Sequence, residues 1–286
     1  MPLQSKPNIS FLDKSFQEDL TSSYILSVFI HSNSVSFAVY YVSQNKYLGL
    51  SCYHSRNDLG VEKTLNQVFD DNKWLSLEFK SVNVILSNSH NTLIPSPLFD
   101  GTKIESYLKF NQPVPVNSHV RYDQLRQTLA ANVYVVPENL NALLKRYWPS
   151  SHIFHSSTVL SESLIINFKN VMHDKVVYVN VSAERFDLLN FKQNKLNLIN
   201  SFRYKTKEDF IYFLLAALEQ LELNPEETEV VLLGDIDNND ALYEVIFKYI
   251  RHVSLIERNN TFKYTYVFNE LKSHRHYVLL NALLCE

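Results

Sequence analysis

The sequence predicts an α/β fold built twice over, as two halves that each run βββαβαβα. Three observations lead there. The stretch Tyr24 to His54 recurs without a gap at an offset of 149, so that Val28 falls on Val177, Phe37 on Phe186, and Gln44-Asn45-Lys46 on Gln193-Asn194-Lys195. Character holds where identity fails: Phe29 meets Tyr178, Val39 meets Leu188 and Tyr53 meets Phe202. After each copy, strand-like runs give way to a helical pattern, a short apolar run and further helices. Finally, 286 residues with 45% apolar and 20% charged side chains, including 17 Tyr and 18 Phe, suffice for two half-buried sheets.

In chain order, Met1 to Ser23 reads as a loosely held or strand-adding arm. Tyr24 to His31 is an apolar strand, buried on both faces. Ser32-Asn33-Ser34 supplies turn formers, Val35 to Val42 is the second strand, and Tyr47 to Tyr53 is the third. Val61 to Asp70 has helical spacing, with Val61, Leu65 and Val68 on one face. Val82 to Leu86 is a buried strand. Lys103 to Phe110 is a short helix within a Pro-bearing stretch. Tyr122 to Leu129 and Asn132 to Val136 make a hairpin turning near Ala130-Ala131, although YDQLRQTL also has helical character. Pro137 and Glu138 open a helix to Tyr147. His152 to Phe154 is a short strand and Ser156 to Phe168 a helix.

The pattern restarts at Lys175 to Val181. Arg185 to Phe191 and Leu196 to Tyr204 complete a second meander, and Thr206 caps a helix to Leu221. Glu229 to Leu233 is the buried strand that answers VNVIL in the first half. Asp240 to Ile250 is a helix, His252 to Ile256 a strand, and Tyr277 to Leu284 a helix. The expected division is 1–170 for the first half and 171–286 for the second. An insert at about 93–129 has no match in the second half and is the expected surface for an unknown protein partner.

Composition and spacing exclude several functions. A net charge of −3 draws the chain to neither nucleic acid nor anionic membrane. The mildly basic region from Arg251 to His276 reads as a solvated face. No run approaches the roughly 18 apolar residues of a spanning helix, and the N-terminus lacks a signal-peptide core. Cys52 and Cys285 give neither a disulfide framework nor a metal spacing and read as reduced thiols of a cytoplasmic protein. Only 4 glycines occur, Gly49, Gly60, Gly101 and Gly234, so no phosphate-cradling loop can be assembled. The pairs His152/His155 and His274/His276 lack partners at metal spacing. Asp235, Asp237, Asn239 and Asp240 start like a calcium loop, but Asp240 stands where glycine is needed; they read as a turn and helix cap. Glu162, between Ser161 and Ser163, reads as part of a close-packing helix face, and Trp74 and Trp148 as packing under loops.

Leu20 to Tyr24 leading into LSVFI, the Ser-Phe of Val35-Ser36-Phe37, and VVLLGDID with Leu242 and Tyr243 beyond it carry a resemblance. Together with the duplication they resemble an uncharacterised Bacteroidetes family whose structural representative has an actin-like ATPase fold, within the ribonuclease-H-like group. That resemblance implies an acidic residue and a glycine-bearing turn after the first strand of each half, holding phosphates and metal, and a later Gly-rich turn holding adenosine. Here the first turn, His31-Ser32-Asn33-Ser34, has neither carboxylate nor glycine. The second, Asn180 to Glu184, has no glycine and an amide in place of the acid, and the adenosine turn is reduced to Gly234-Asp235. ATP hydrolysis and two-metal nuclease chemistry are therefore not expected, and a non-catalytic scaffold is. The alternative is an ATP-binding or kinase-like protein that holds ATP and Mg²⁺ in a cleft between the halves, on Ser32, Asn33, Ser182, Gly234 and Asp235. A third reading, a plain α/β binding protein with a fortuitous repeat, would show no matched halves.

Overall fold

A computed structural model describes residues 9–55 and 60–285. The first run of elements is β1 (Ile9–Leu12), β2 (Tyr24–His31), β3 (Ser34–Tyr41), β4 (Lys46–His54), α1 (Val61–Asp71), β5 (Ser81–Leu86), β6 (Asn91–Pro95), α2 (Ile104–Asn111), β7 (Ser118–Leu125), β8 (Ala130–Pro137), α3 (Glu138–Tyr147), β9 (His152–His155) and α4 (Ser156–Phe168). The second is β10 (Val176–Val181), β11 (Arg185–Lys192), β12 (Lys195–Arg203), α5 (Lys207–Gln220), β13 (Glu229–Gly234), α6 (Ala241–Tyr249), β14 (His252–Leu255), β15 (Lys263–Tyr264) and α7 (Tyr277–Leu280).

The two halves share one topology. The first sheet contains β4-β3-β2-β5-β9 and the second is β12-β11-β10-β13-β14. In each, three strands pair antiparallel through short turns. The next two add parallel, each after a helical crossover of the kind parallel pairing requires. Matched halves of this kind exclude the fortuitous repeat. The repeat does contain gaps. A bulge marks the same place in both meanders, at Val39/Tyr40 and at Asn190/Phe191, an offset of 151. The facing residues correspond at 149, Gly49 to Leu198 and Tyr47 to Leu196. Two residues separate His31 from its partner Ser34, but four separate Val181 from Phe186. The next turn compensates, with four residues between Tyr41 and Lys46 and two between Lys192 and Lys195. Asn45 and Asn194 both hold positive φ there, 50° and 58°, where asparagine is well tolerated.

The chain divides into two compact units, Met1–Glu162 with Asn260–Leu271 and Val278–Glu286, and Ser163–Asn259 with Lys272–Tyr277. This differs from an expected boundary at 170/171, and two C-terminal segments group with the first unit. The first core gathers Leu26, Val28, Phe37, Leu65, Val68 and Trp148. The second gathers Val179, Phe186, Leu188, Phe210, Leu214 and Leu232. A capping box starts α5: the Thr206 hydroxyl accepts from Asp209 N–H at 3.1 Å, and the Asp209 carboxylate accepts from Thr206 N–H at 3.1 Å.

The insert is a three-stranded sheet, β6-β8-β7, with α2 packed on it through Leu108, Val133 and Val135. It therefore extends past 129 to the end of β8. Tyr122 to Leu125 is strand, not helix, and Ala130 and Ala131 lie inside β8, the turn falling at 126–129. Asp123, 8% exposed on β7, accepts from the Tyr134 hydroxyl at 3.0 Å, the His155 N–H at 2.8 Å and the Thr158 hydroxyl at 2.7 Å. Burial outweighs these donors and pushes Asp123 up to about 6, from an ordinary 3.8. A folded pKa above the unfolded one means the group favours folding below about pH 4, and this contribution is lost as pH rises through 6. Wild-type protein should therefore lose about 3 kcal/mol against Asp123→Asn between pH 4 and 7, measured by chemical denaturation at both pH values.

Two C-terminal expectations change. Tyr277 to Leu284 is not one helix: α7 ends at Leu280 and a 3-10 turn, Ala282–Cys285, follows Asn281. The region from Arg251 to His276 is not simply a solvated face. It buries Phe262, Phe268, Leu271 and His274, and its strand β15 pairs with Lys46 and Tyr47 at the start of β4. Among the described residues no helix is long and apolar enough to cross a membrane.

Candidate functional site

The candidate residues occupy three turns at strand ends. In the first unit, β2 and β3 meet at Ser32 and Asn33, both exposed. The Ser32 hydroxyl lies 3.1 Å and the Asn33 amide oxygen 3.3 Å from His31 Nδ1, and the Ser55 N–H donates to the Asn33 carbonyl at 2.7 Å.

In the second unit, the β10–β11 turn is closed by the Ser182 N–H donating to Arg185 O at 2.8 Å. The Tyr204 hydroxyl donates to Ser182 O. Burial pushes the Tyr204 phenol up to about 12, with Asp235 and Glu184 adding to the rise. Asn180, standing where the acid was expected, lies 3.3 Å from Asp187 on the adjoining strand. Asp187 is 2% exposed and accepts from the Ser201 hydroxyl, with Arg185 Nε at 3.4 Å. That carboxylate is held by its own strand neighbours.

The third turn follows β13. Gly234 has φ +88°, and a Cβ there would lie 2.3 Å from the Val181 carbonyl oxygen, so the turn sits directly against the end of β10. Ser182, Gly234 and Asp235 are thus neighbours, while Ser32 and Asn33 belong to the other unit. The amides of 234 to 237 are already used. Gly234 N–H donates to His274 O at 3.0 Å, Asp235 N–H to Val181 O at 2.8 Å, Ile236 N–H to Gly234 O at 3.1 Å, and Asp237 N–H to the Asp240 carboxylate at 2.7 Å.

Asp237 is occupied through both of its oxygens and Asp235 through one. Asp237 Oδ1 lies 2.9 Å from Lys272 Nζ and 3.1 Å from His274 Nε2, and its Oδ2 accepts from Arg275 at 2.8 Å. Asp235 Oδ1 accepts from the other Arg275 nitrogen at 3.0 Å. Arg275 bridges both carboxylates, as its forked geometry allows. Burial draws Asp237 upward, but Lys272 and Arg275 outweigh it and hold the carboxyl at about 2. Burial keeps His274 below its ordinary value, against the pull of Asp237. No group of three or more His, Cys, Asp or Glu among the described residues is placed to hold a metal. The turn expected over Asp235 to Asp240 is there, but Asp240, at the start of α6, makes no side-chain cap bond and its carboxylate turns back to the Asp237 N–H; the cationic partners at 272–275 were missed. Both charge clusters are visible in the sequence, but nothing local joins them.

A family model described as a protein of unknown function, DUF3822, matches residues 13–253. A Bacteroides thetaiotaomicron protein with an actin-like ATPase fold and unknown function aligns with a TM-score of 0.77 at 26% identity, over 84% of this chain and 93% of that one. A chain of a PilM-PilN type IV pilus biogenesis complex aligns with a TM-score of 0.57 at 10% identity, over 91% of this chain and 96% of that one, a likeness of fold alone. No curated protein matches. The chain belongs to the DUF3822 family and has the actin-like ATPase fold.

Proposed function

We propose that the chain is a non-catalytic actin-like scaffold that binds another protein, with the β6–β8 insert as its docking surface. One observation carries this reading: the Gly234 turn has spent the amides of 234–237, both oxygens of Asp237 and one of Asp235 on its own chain. Phosphate binding at such a turn needs unspent N–H groups, and metal binding needs unspent carboxylates. The insert supports the partner half of the reading, since Leu98, Phe110, Val116 and Leu129 on it are 62–90% exposed. The fold also occurs in the PilM-PilN assembly, a complex of that chain with another protein. A cytoplasmic setting, where Cys52 and Cys285 stay reduced, belongs to the same reading. Steady-state hydrolysis at millimolar ATP and Mg²⁺ should stay at background. Turnover that Asp235→Ala abolishes would overturn the proposal.

A second reading keeps ATP and Mg²⁺ on Ser32, Asn33, Ser182, Gly234 and Asp235. The tight approach at Gly234 favours it, because a glycine with positive φ is what a close ligand turn uses. It requires Arg275 to leave Asp235, and a magnesium-dependent rise of the unfolding midpoint with ATP decides between the two.

A further inference from the structure

We infer that the β7–β8 hairpin is seated on the start of α4 by a proton-operated latch whose working part is the Asp123 carboxyl, so that mild acid tightens the seat and neutral solution loosens it. The placement of the group carries this. β7 is an outer strand of the insert sheet, paired with β8. Asp123 reaches out of that sheet. Its Oδ2 accepts from the N–H of His155, the last residue of β9, at 2.8 Å, and from the hydroxyl of Thr158, in the first turn of α4, at 2.7 Å. Its Oδ1 lies 3.0 Å from the Tyr134 hydroxyl on β8.

A count of protons shows which form of the carboxyl the closed seat prefers. The Tyr134 hydroxyl lies 3.0 Å from Asp123 Oδ1 and also 3.0 Å from Ile153 O. It has one proton to share between those two acceptors. With Asp123 ionised, one acceptor of the buried set goes without. With Asp123 protonated, Oδ1–H donates to the Tyr134 oxygen, the Tyr134 proton goes to Ile153 O, and every group of the relay is satisfied. Tyr134 and His155 are fully buried and Thr158 is 2% exposed, so water does not make up the missing bond.

The charged and titratable groups around the latch are few. Arg121, two residues back on β7, draws the carboxyl toward ionisation. Burial pushes the Tyr134 phenol well above its ordinary value. The His155 ring is neutral, because Nδ1 accepts from the Ser157 N–H at 3.2 Å while Nε2 faces Asn88 O. On α4, Glu162 receives the amides of 126–128. Burial outweighs the donors and Arg121 and raises Asp123 to about 6, whereas an unseated hairpin returns it to 3.8. The seated form is therefore favoured below about pH 4, and the advantage is lost as pH rises through 6. Between pH 5 and pH 7 the balance of seated to open hairpin falls about tenfold. The latch works on the hairpin whether or not the insert docks a partner, so its test is independent of the scaffold reading.

Hydrogen exchange of the full chain at pH 5 and pH 7, corrected for intrinsic rates, tests it. The amides of 126–128 and of His155 report the seat, and those of 26–28 in β2 report unfolding of the unit. At pH 7 the seat amides should exchange faster than those of β2, and at pH 5 they should be about tenfold better protected than at pH 7. Asp123→Asn, uncharged at both pH values, should abolish that response. Glu162→Gln should retain it. Equal rates at the seat and in β2 would mean that the hairpin opens only with the unit and would overturn the inference. So would protection that does not change with pH in the wild type, or a response that Glu162→Gln removes and Asp123→Asn keeps.

Discussion

Gly234→Ala is expected to cost about 3 kcal/mol or more. The position has φ +88°, and an added Cβ would lie 2.3 Å from the Val181 carbonyl, 2.8 Å from the Asn180 amide oxygen and 3.1 Å from the Val181 nitrogen. Two of these atoms are backbone of a buried strand, so little can move aside. Left-handed backbone strain and overpacking each contribute roughly 1–3 kcal/mol. The clash also pushes at the bond from Asp235 N–H to Val181 O, which fastens β13's turn to β10. Gly60 is the internal control. It also has positive φ, +76°, but its nearest neighbour to a new Cβ is the flexible Glu62 carboxylate at 3.4 Å. Gly60→Ala should therefore cost only the conformational penalty of its extended positive-φ backbone (ψ 155°), roughly 1–3 kcal/mol. Guanidinium unfolding of both variants measures the difference, and equal costs would refute the close approach.

Glu162→Ala should be comparably damaging, at about 3 kcal/mol. Glu162 is 6% exposed on α4, and its carboxylate receives the N–H groups of Arg126, Gln127 and Thr128 at 2.9–3.1 Å. Those amides form the turn between β7 and β8, where Leu129 holds φ 52°. Hydrogen bonds to a charged group are worth about 1.5–3 kcal/mol each, offset in part because removing the side chain also removes a buried charge. Glu162→Gln retains an acceptor but turns an N–H₂ toward the same donors, and should fall between Ala and wild type. Faster amide exchange at 126–128 in both variants would tie the loss to this turn. Exchange unchanged there would contradict the role. Together with Asp123, which receives the His155 N–H and the Thr158 hydroxyl, Glu162 fastens the insert's hairpin to α4 and the residue before it.

Much of the framework was legible because strands and amphipathic helices leave local signals. The meander boundaries, α4 from Ser156 to Phe168 and the Thr206 cap all follow from periodicity and capping chemistry. The gaps in the repeat were hidden because the four-residue turn after β10 is cancelled by the two-residue turn after β11. Net offset survives such a cancellation, so identity at 193–195 concealed it. β15 is two residues long and owes its place to Phe262, Tyr264 and Phe268 gathering around Tyr47. No local pattern encodes that. Glu162 looked like one polar residue on a small-residue face, since its three partners lie 34–36 positions away. The absence of phosphate-loop glycines was plain in the composition. The occupation of the remaining turn by Lys272 and Arg275 depends on a pairing between segments distant in the chain.

Thermal unfolding in a titration with ATP, with and without Mg²⁺, tests the central claim most directly. A ligand that binds only the folded state adds about 2.7 kcal/mol of stability at 100-fold over its Kd. With the Gly234 turn filled by its own amides, carboxylates and cations, the midpoint should stay unchanged at millimolar nucleotide. A magnesium-dependent rise in the midpoint that Asp235→Ala removes would contradict the account and return the chain to the nucleotide-binding members of its fold.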